Sequence, residues 1–269
     1  MDEFLKLLQS GMETPKPYSS FYFVFLSFVI VFTILISICF RNAKIKGFKT
    51  VLLITWIILV ILEIIKEVVY SFYYDGEPKW KYAWSMFPFQ LCSLPLYTLP
   101  ILIFTNKDKH PHFFECILSF EAFTLLFAGL TVYINPVSVL CPLVMVNIQT
   151  MIHHGSQIII GIFIICWYRK NINFNFFCKG QIVFVVAVAI ASLLNLIVPN
   201  LINGNYFNMF YISPYYEFIV PGLNISTKQF PYILLLFGYI IGVMLSSFIV
   251  FLLAKLSIIL TSKLFKKES

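Results

Sequence analysis

Residues 84–100 read WSMFPFQLCSLPLYTLP, with Pro88, Pro95 and Pro100 inside a run otherwise apolar enough for a membrane interior. Proline removes a backbone donor and clashes with the preceding helical turn. In hydrocarbon the carbonyls freed in this way need partners from neighbouring protein or enclosed water. The stretch therefore predicts a transmembrane helix broken by its prolines and surrounded by other helices. Gln90 and Cys92 sit within the break, and His153 and His154 interrupt a second apolar run. Cys92 and the two histidines are the expected centre of a site inside a helical membrane bundle.

Composition points the same way. Of 269 residues 60% are hydrophobic and 12% charged, where a soluble domain would have about a quarter charged. Mean hydropathy is +0.89. Several apolar stretches reach the roughly 20 residues that cross a bilayer. The expected fold is all-α, a polytopic bundle of about seven transmembrane helices forming one domain over residues 1–269. A net charge of +7 in a soluble chain would suggest nucleic acid. Here the basic residues flank the spans, where they set orientation, and no nucleic-acid partner is expected. The six cysteines form no CxxC pair and no Cys–His metal spacing, so neither a zinc site nor a disulfide framework is expected. No metal, no cofactor and no cleavable signal peptide are expected either.

The spans fall near residues 21–40, 50–74, 86–104, 113–134, 143–168, 180–199 and 232–260. Residues 1–20 form an amphipathic or irregular lead. DGEPKWKYAW (75–84) is a turn-rich link with Trp80, Tyr82 and Trp84 suited to a membrane interface. Residues 200–226 hold too many Asn, Pro and Gly for a span and should lie along the interface or dip into it. One side of the membrane collects the RNAKIKGFK loop at 41–49, Lys107, Lys109, Arg169, Lys170, Lys179, Lys263, Lys266 and Lys267. The other has Lys6, Lys16, Lys79, Lys81 and Lys228. By the positive-inside rule the N-terminus is outside and the C-terminus cytoplasmic. Asn224, in an Asn-Ile-Ser sequon, falls on the outer side.

This topology assigns a depth to each polar residue. Glu63, Lys66 and Glu67 lie from the middle to the outer half of span 2. Gln90 and Cys92 lie roughly 6–9 Å below the outer edge at 1.5 Å per residue. His153, His154 and Gln157 sit nearer mid-depth in span 5, and Asn195 lies in the outer part of span 6. Polar groups from four spans thus share one layer, and charged side chains inside spans usually line a functional interior. Lys66 pairing with Glu63 or Glu67 as structural glue is the competing account. Adjacent histidines point about 100° apart on a helix, so only one of the two faces a given partner; His154 is placed slightly ahead. Glu121 in span 4 is either a proton-linked group or a structural partner. The other five cysteines are read as small packing residues.

A histidine can deprotonate a thiol and so generate a nucleophile for acyl transfer. Oxyanion donors could come from unpaired amides around Pro88–Pro95 or from the Gln90 side chain. FPFQLC at 87–92 with Pro95, the span-5 histidine and NGNYFNMFYISP at 203–214 resemble the YwaF-like bacterial integral membrane proteins, a group related to the eukaryotic transmembrane protein 164. The resemblance runs over about residues 50–225. Members typically carry a His-Leu-Pro-Leu-His-Leu-Cys-like segment, and here Phe89-Gln90 stands where relatives often have Leu-His. The eukaryotic relative is regarded as a cysteine-dependent phospholipid acyltransferase. The resemblance thus implies Cys92 as the acyl-carrying nucleophile and His153 or His154 as its base.

The expected function is an acyltransferase that takes a chain from a membrane phospholipid through a Cys92 thioester. Its acceptor would be a lysophospholipid or a lipoprotein amine. Glu63, Lys66, Glu67, Gln90, Gln157 and Asn195 would bind the substrate. The rival is a small-solute transporter or substrate-binding membrane subunit using the same broken helix. A scaffold whose polar layer only fixes helix packing is a third reading.

Overall fold

The computed structural model describes residues 2–217 and 230–266. A short helix α1 (Asp2–Leu8) leads into α2 (Ser20–Phe40) and α3 (Ile45–Ser71). A hairpin of β1 (Phe72–Asp75) and β2 (Glu77–Trp80) follows. Two 3-10 turns, Trp84–Met86 and Leu91–Ser93, precede α4 (Pro95–Phe104). The next long helix comprises α5 (Pro111–Ser119), a π-helical stretch (Phe120–Leu125) and α6 (Leu126–Ile134). Then come α7 (Val144–Tyr168), α8 (Phe174–Leu201), a 3-10 turn at Met209–Tyr211 and α9 (Tyr232–Lys266). The 75–84 link proves more regular than expected at its start. Gly76, at φ +71, closes the hairpin in a conformation that glycine adopts without strain.

Among the described residues six helices are long and apolar enough to cross a membrane. The third segment is the broken one, and its helical part, Leu91–Phe104, is too short to count among them. It nevertheless runs the length of the bundle. Lys66 Nζ donates to the Met86 carbonyl (3.1 Å), Trp56 Nε1 to Leu96 O (2.9 Å) and Lys49 Nζ to Thr105 O (2.8 Å). Residues 86–105 therefore lie antiparallel to residues 49–66 of α3, a rise of roughly 26 Å at 1.5 Å per residue. The chain makes a seventh crossing with a segment that is helical for only part of the way.

Helix α7 and the α5–α6 helix are central, each with 67% of its most apolar window buried, against 6% for α2 and α9 at the periphery. Lipid is as apolar as leucine, so close packing and polar links hold such helices together. Glycines supply the close packing. A Cβ on Gly161 would come within 2.6 Å of Leu126 Cβ, and one on Gly180 within 2.7 Å of the Phe120 amide nitrogen. The polar links include Tyr22 Oη to Tyr133 O (2.7 Å) and Tyr133 Oη to Met151 O (2.8 Å), which tie α2, α6 and α7 together. At the N-terminus, Gln9 Nε2 donates to Val69 O and Phe72 O (2.8 and 2.6 Å) where α3 ends. These are carbonyls that a helix end leaves unpaired.

The segment at 200–217 dips into the bundle. Phe207, Met209, Phe210 and Ile212 are buried, and Phe89 stacks on Phe210 with ring centres 5.9 Å apart. Asn224 and its sequon lie outside the described residues.

Candidate functional site

The site begins with what the prolines do to one carbonyl. Pro95 starts α4, a position that tolerates proline because the first-turn N–H has no helical partner anyway. It also has no N–H to offer the Cys92 carbonyl three residues earlier. Helix α7 supplies the donors instead. His153 Nε2 donates to Cys92 O at 2.8 Å and Gln157 Nε2 to the same oxygen at 2.5 Å. Residues 149, 153 and 157 recur every fourth position and so share one face of α7. Cys92 itself lies in the Leu91–Ser93 turn and is half-buried.

Since a carbonyl only accepts, Nε2 of His153 carries the hydrogen, and Nδ1 is left as an acceptor. Gln149 Nε2 lies 3.3 Å from that Nδ1 and 3.3 Å from Glu63 Oε2. Glu63 Oε1 in turn holds Lys66 Nζ at 2.5 Å. A polar chain thus runs Lys66–Glu63–Gln149–His153–Cys92 carbonyl across α3, α7 and the broken segment. Lys66 also lies 3.5 Å from Glu67 Oε1, and Tyr82 sits beside Glu67. Burial, and after it the Glu67 carboxylate, push the Tyr82 phenol above its ordinary pKa. One ammonium therefore faces two carboxylates. Gln157 Oε1 is buried without a hydrogen-bond partner among the described residues.

Of the residues expected at the site, Cys92, His153, Gln157, Glu63, Lys66 and Glu67 come together. His154, placed slightly ahead from sequence, turns the other way, its Nδ1 2.8 Å from the Thr150 carbonyl one turn back on its own helix. The imidazole that meets the Cys92 segment is that of His153. Gln90 and Asn195 form a neighbouring clamp. Gln90 donates to Asn208 O (2.8 Å) and accepts from Phe210 N (2.7 Å). Asn195 donates to Met209 O (2.9 Å) and accepts from Met209 N (2.7 Å). Both amides spend one N–H and their oxygen on backbone, so their first task in this fold is to hold that segment. Three consecutive residues are held in a turn where Phe210 and Tyr211 adopt positive φ of 56° and 58°. The FPFQLC and NYFNMFYISP stretches thus meet in space.

Glu121 belongs to the π-helical stretch and accepts from the Thr98 hydroxyl on α4, a tie to the broken segment. Sequence reading missed Gln149. Its signal was the same four-residue spacing that links His153 to Gln157. All six cysteines are free. Among the described residues no group of three or more His, Cys, Asp or Glu side chains is arranged to hold a metal ion.

The fold and site define a multi-pass helical membrane protein with a proline-broken segment that presents a cysteine to a polar face of the central helix. The chain belongs to the TMEM164 family, whose sequence model matches residues 17–257. No curated protein and no solved structure matches it.

Proposed function

We propose that the protein is an integral membrane acyltransferase of the cell membrane that carries the acyl chain on Cys92. The thiolate attacks an ester carbonyl of a membrane phospholipid. The sulfur–acyl bond forms as the ester C–O bond breaks, and the thiol proton passes to the departing alkoxide to give a lysophospholipid. A hydroxyl of a second lysophospholipid, or a lipoprotein amine, then attacks the thioester. It takes the chain, and its proton returns to sulfur. The observation that carries this reading is the double hydrogen bond from His153 and Gln157 to the Cys92 backbone. It holds a half-buried cysteine beside an imidazole at a break in the helix.

In the arrangement described, His153 uses its Nε2 hydrogen on the Cys92 carbonyl. The lone pair that can take the thiol proton is therefore on Nδ1, and Gln149 Nε2 gives it up as the thiol approaches. Gln149 and Glu63 keep the ring in one tautomer. Gln157 Oε1 offers an open acceptor to an incoming hydroxyl or amine. The N-terminus faces outward and the C-terminus the cytoplasm, which puts the cysteine in the outer half of the bilayer.

The test is intact mass spectrometry of the purified full chain incubated with phospholipid. Wild type should gain a hydroxylamine-labile acyl adduct that Cys92→Ser does not form. If wild type forms no adduct and Cys92→Ser functions normally in cells, acyl transfer is excluded and the solute-binding reading takes its place.

A further inference from the structure

Away from Cys92, the other end of the bundle gathers basic residues from separate segments. Arg169 reaches the Arg41 carbonyl (3.0 Å), and Trp167 Nε1 donates to Ala43 O (2.9 Å). A pocket of about 420 Å³ opens there between the 105–110 turn, the end of α7 and the start of α8. That volume lies within the roughly 300–1,000 Å³ of small-ligand sites. Lys107, Lys170 and Lys179 line it, with Glu115, Tyr168 and Asn173. It is remote from the cysteine, since Tyr168 lies eleven residues beyond Gln157 on α7, roughly 16 Å along the axis.

The charges in this pocket are not balanced. Glu115 is the one carboxylate, and both its oxygens are engaged, one with Lys179 Nζ (2.5 Å) and the other with the Tyr168 hydroxyl. Lys107 has no carboxylate partner among the described residues. It is half-buried, with Nζ 5.1 Å from the centre of the Trp167 ring and 5.6 Å from that of Tyr168. Lys170, exposed and without an ion pair among the described residues, adds a second cation at the rim. Asn173 caps α8, accepting from Phe176 N at 2.9 Å, so the positive end of that helix lies at the same pocket. Orientation in a membrane requires only that basic residues sit in a loop. It does not require an ammonium drawn under the surface and held over aromatic faces, nor three lysines from three segments around one cavity.

We propose that this pocket binds a phosphate group. Lys107 and Lys170, which have no carboxylate partner among the described residues, and the N-terminal end of α8 match its charge and its acceptor oxygens, with Lys179 shared between it and Glu115. The phosphate is carried either by an anionic phospholipid of the adjacent leaflet or by a soluble phosphate compound. The inference stands apart from acyl transfer, because none of these residues belongs to the polar chain that ends at the Cys92 carbonyl.

The experiment is native mass spectrometry of the full chain released from mixed micelles containing phosphatidylglycerol and phosphatidylcholine. Wild type should retain phosphatidylglycerol in preference to phosphatidylcholine. The Lys107→Gln/Lys170→Gln pair should weaken that retention about tenfold. The Lys46→Gln/Lys109→Gln pair, which removes the same charge from exposed positions, should leave it intact. Lys107→Arg should also retain it, separating loss of the site from loss of the fold. Displacement by millimolar inorganic phosphate assigns the pocket to soluble phosphates. Displacement only by short-chain phosphatidylglycerol assigns it to lipid. Equal retention of the two lipids by wild type together with no phosphate binding, or equal losses in the two double variants, overturns the proposal.

Discussion

His153 on α7 donates to the backbone carbonyl of Cys92 at 2.8 Å, filling the place of the donor that Pro95 cannot supply. One contact thus does a structural task, satisfying a carbonyl in a membrane interior. It also sets an imidazole beside a cysteine. The two roles separate by experiment. His153→Gln should lower Cys92 acylation about 100-fold through loss of the imidazole base, with little change in melting temperature because the new amide can still donate to the carbonyl. His154→Gln should change acylation by less than about threefold, because His154 is bonded within its own helix. Acyl-adduct rates and melting curves for both variants check this pair.

The Glu63–Lys66 pair is coupled and largely buried. Lys66→Met alone leaves two carboxylates facing each other without a cation, at a cost of about 3–5 kcal/mol. Glu63→Gln combined with Lys66→Met should recover a large part of that loss. A double-mutant cycle on reversible unfolding in bicelles reads the coupling directly. Additive losses would show that the pair does not act as a unit.

Gln90 and Asn195 each hold the 208–210 backbone through two hydrogen bonds. Gln90→Leu or Asn195→Leu should destabilise that segment by about 1–3 kcal/mol through unpaired buried groups. Limited proteolysis should then cut near Met209 earlier than in wild type. Maleimide should reach Cys92 faster, because Phe207 and Phe210 pack over the FPFQLC stretch.

Close helix packing predicts a sharp contrast between glycines. Gly180→Ala puts a methyl group 2.6 Å from Ser119 Oγ and 2.7 Å from the Phe120 nitrogen, whereas Gly238 has nothing within 4 Å. Gly180→Ala should cost about 1–3 kcal/mol by overpacking, and Gly238→Ala should be neutral or better. Thermal stability in detergent compares the two.

The lysine distribution predicts an external N-terminus and a cytoplasmic C-terminus. A C-terminal tag on intact cells should be closed to an impermeant protease and become accessible after lysis. An exposed C-terminus would invert the depth assigned to Cys92.

Much of the architecture was legible in the chain because it depends on local properties. Run length and hydropathy set where helices cross. Pro88 and Pro95 interrupt the helix locally, so the break around Gln90 and Cys92 could be read without knowing its neighbours, whereas Pro100, also read as a breaker, is carried inside α4. The convergence of Glu63, Lys66, Cys92 and a span-5 histidine followed from counting residues from the membrane edge. The Asp75-Gly76 hairpin signal was also local, yet it was passed over as a link.

What only the tertiary structure decided is which partner each polar group meets, since that depends on the rotation of each helix about its axis. Sequence gives His153 and His154 equal depth, and packing of α7 against α3 and the Leu91–Ser93 turn directs His153 to Cys92 and leaves His154 on its own turn. Gln90 and Asn195 look like ligand-binding amides until the 208–210 segment folds back over them. Gln149 gains its place between Glu63 and His153 from the same rotation. The sequence by itself determined a seven-crossing membrane bundle with one broken segment and a polar layer, because hydrophobic length and proline act locally. The fold decided how that layer is wired, because hydrogen bonds between helices exist only after the helices have packed.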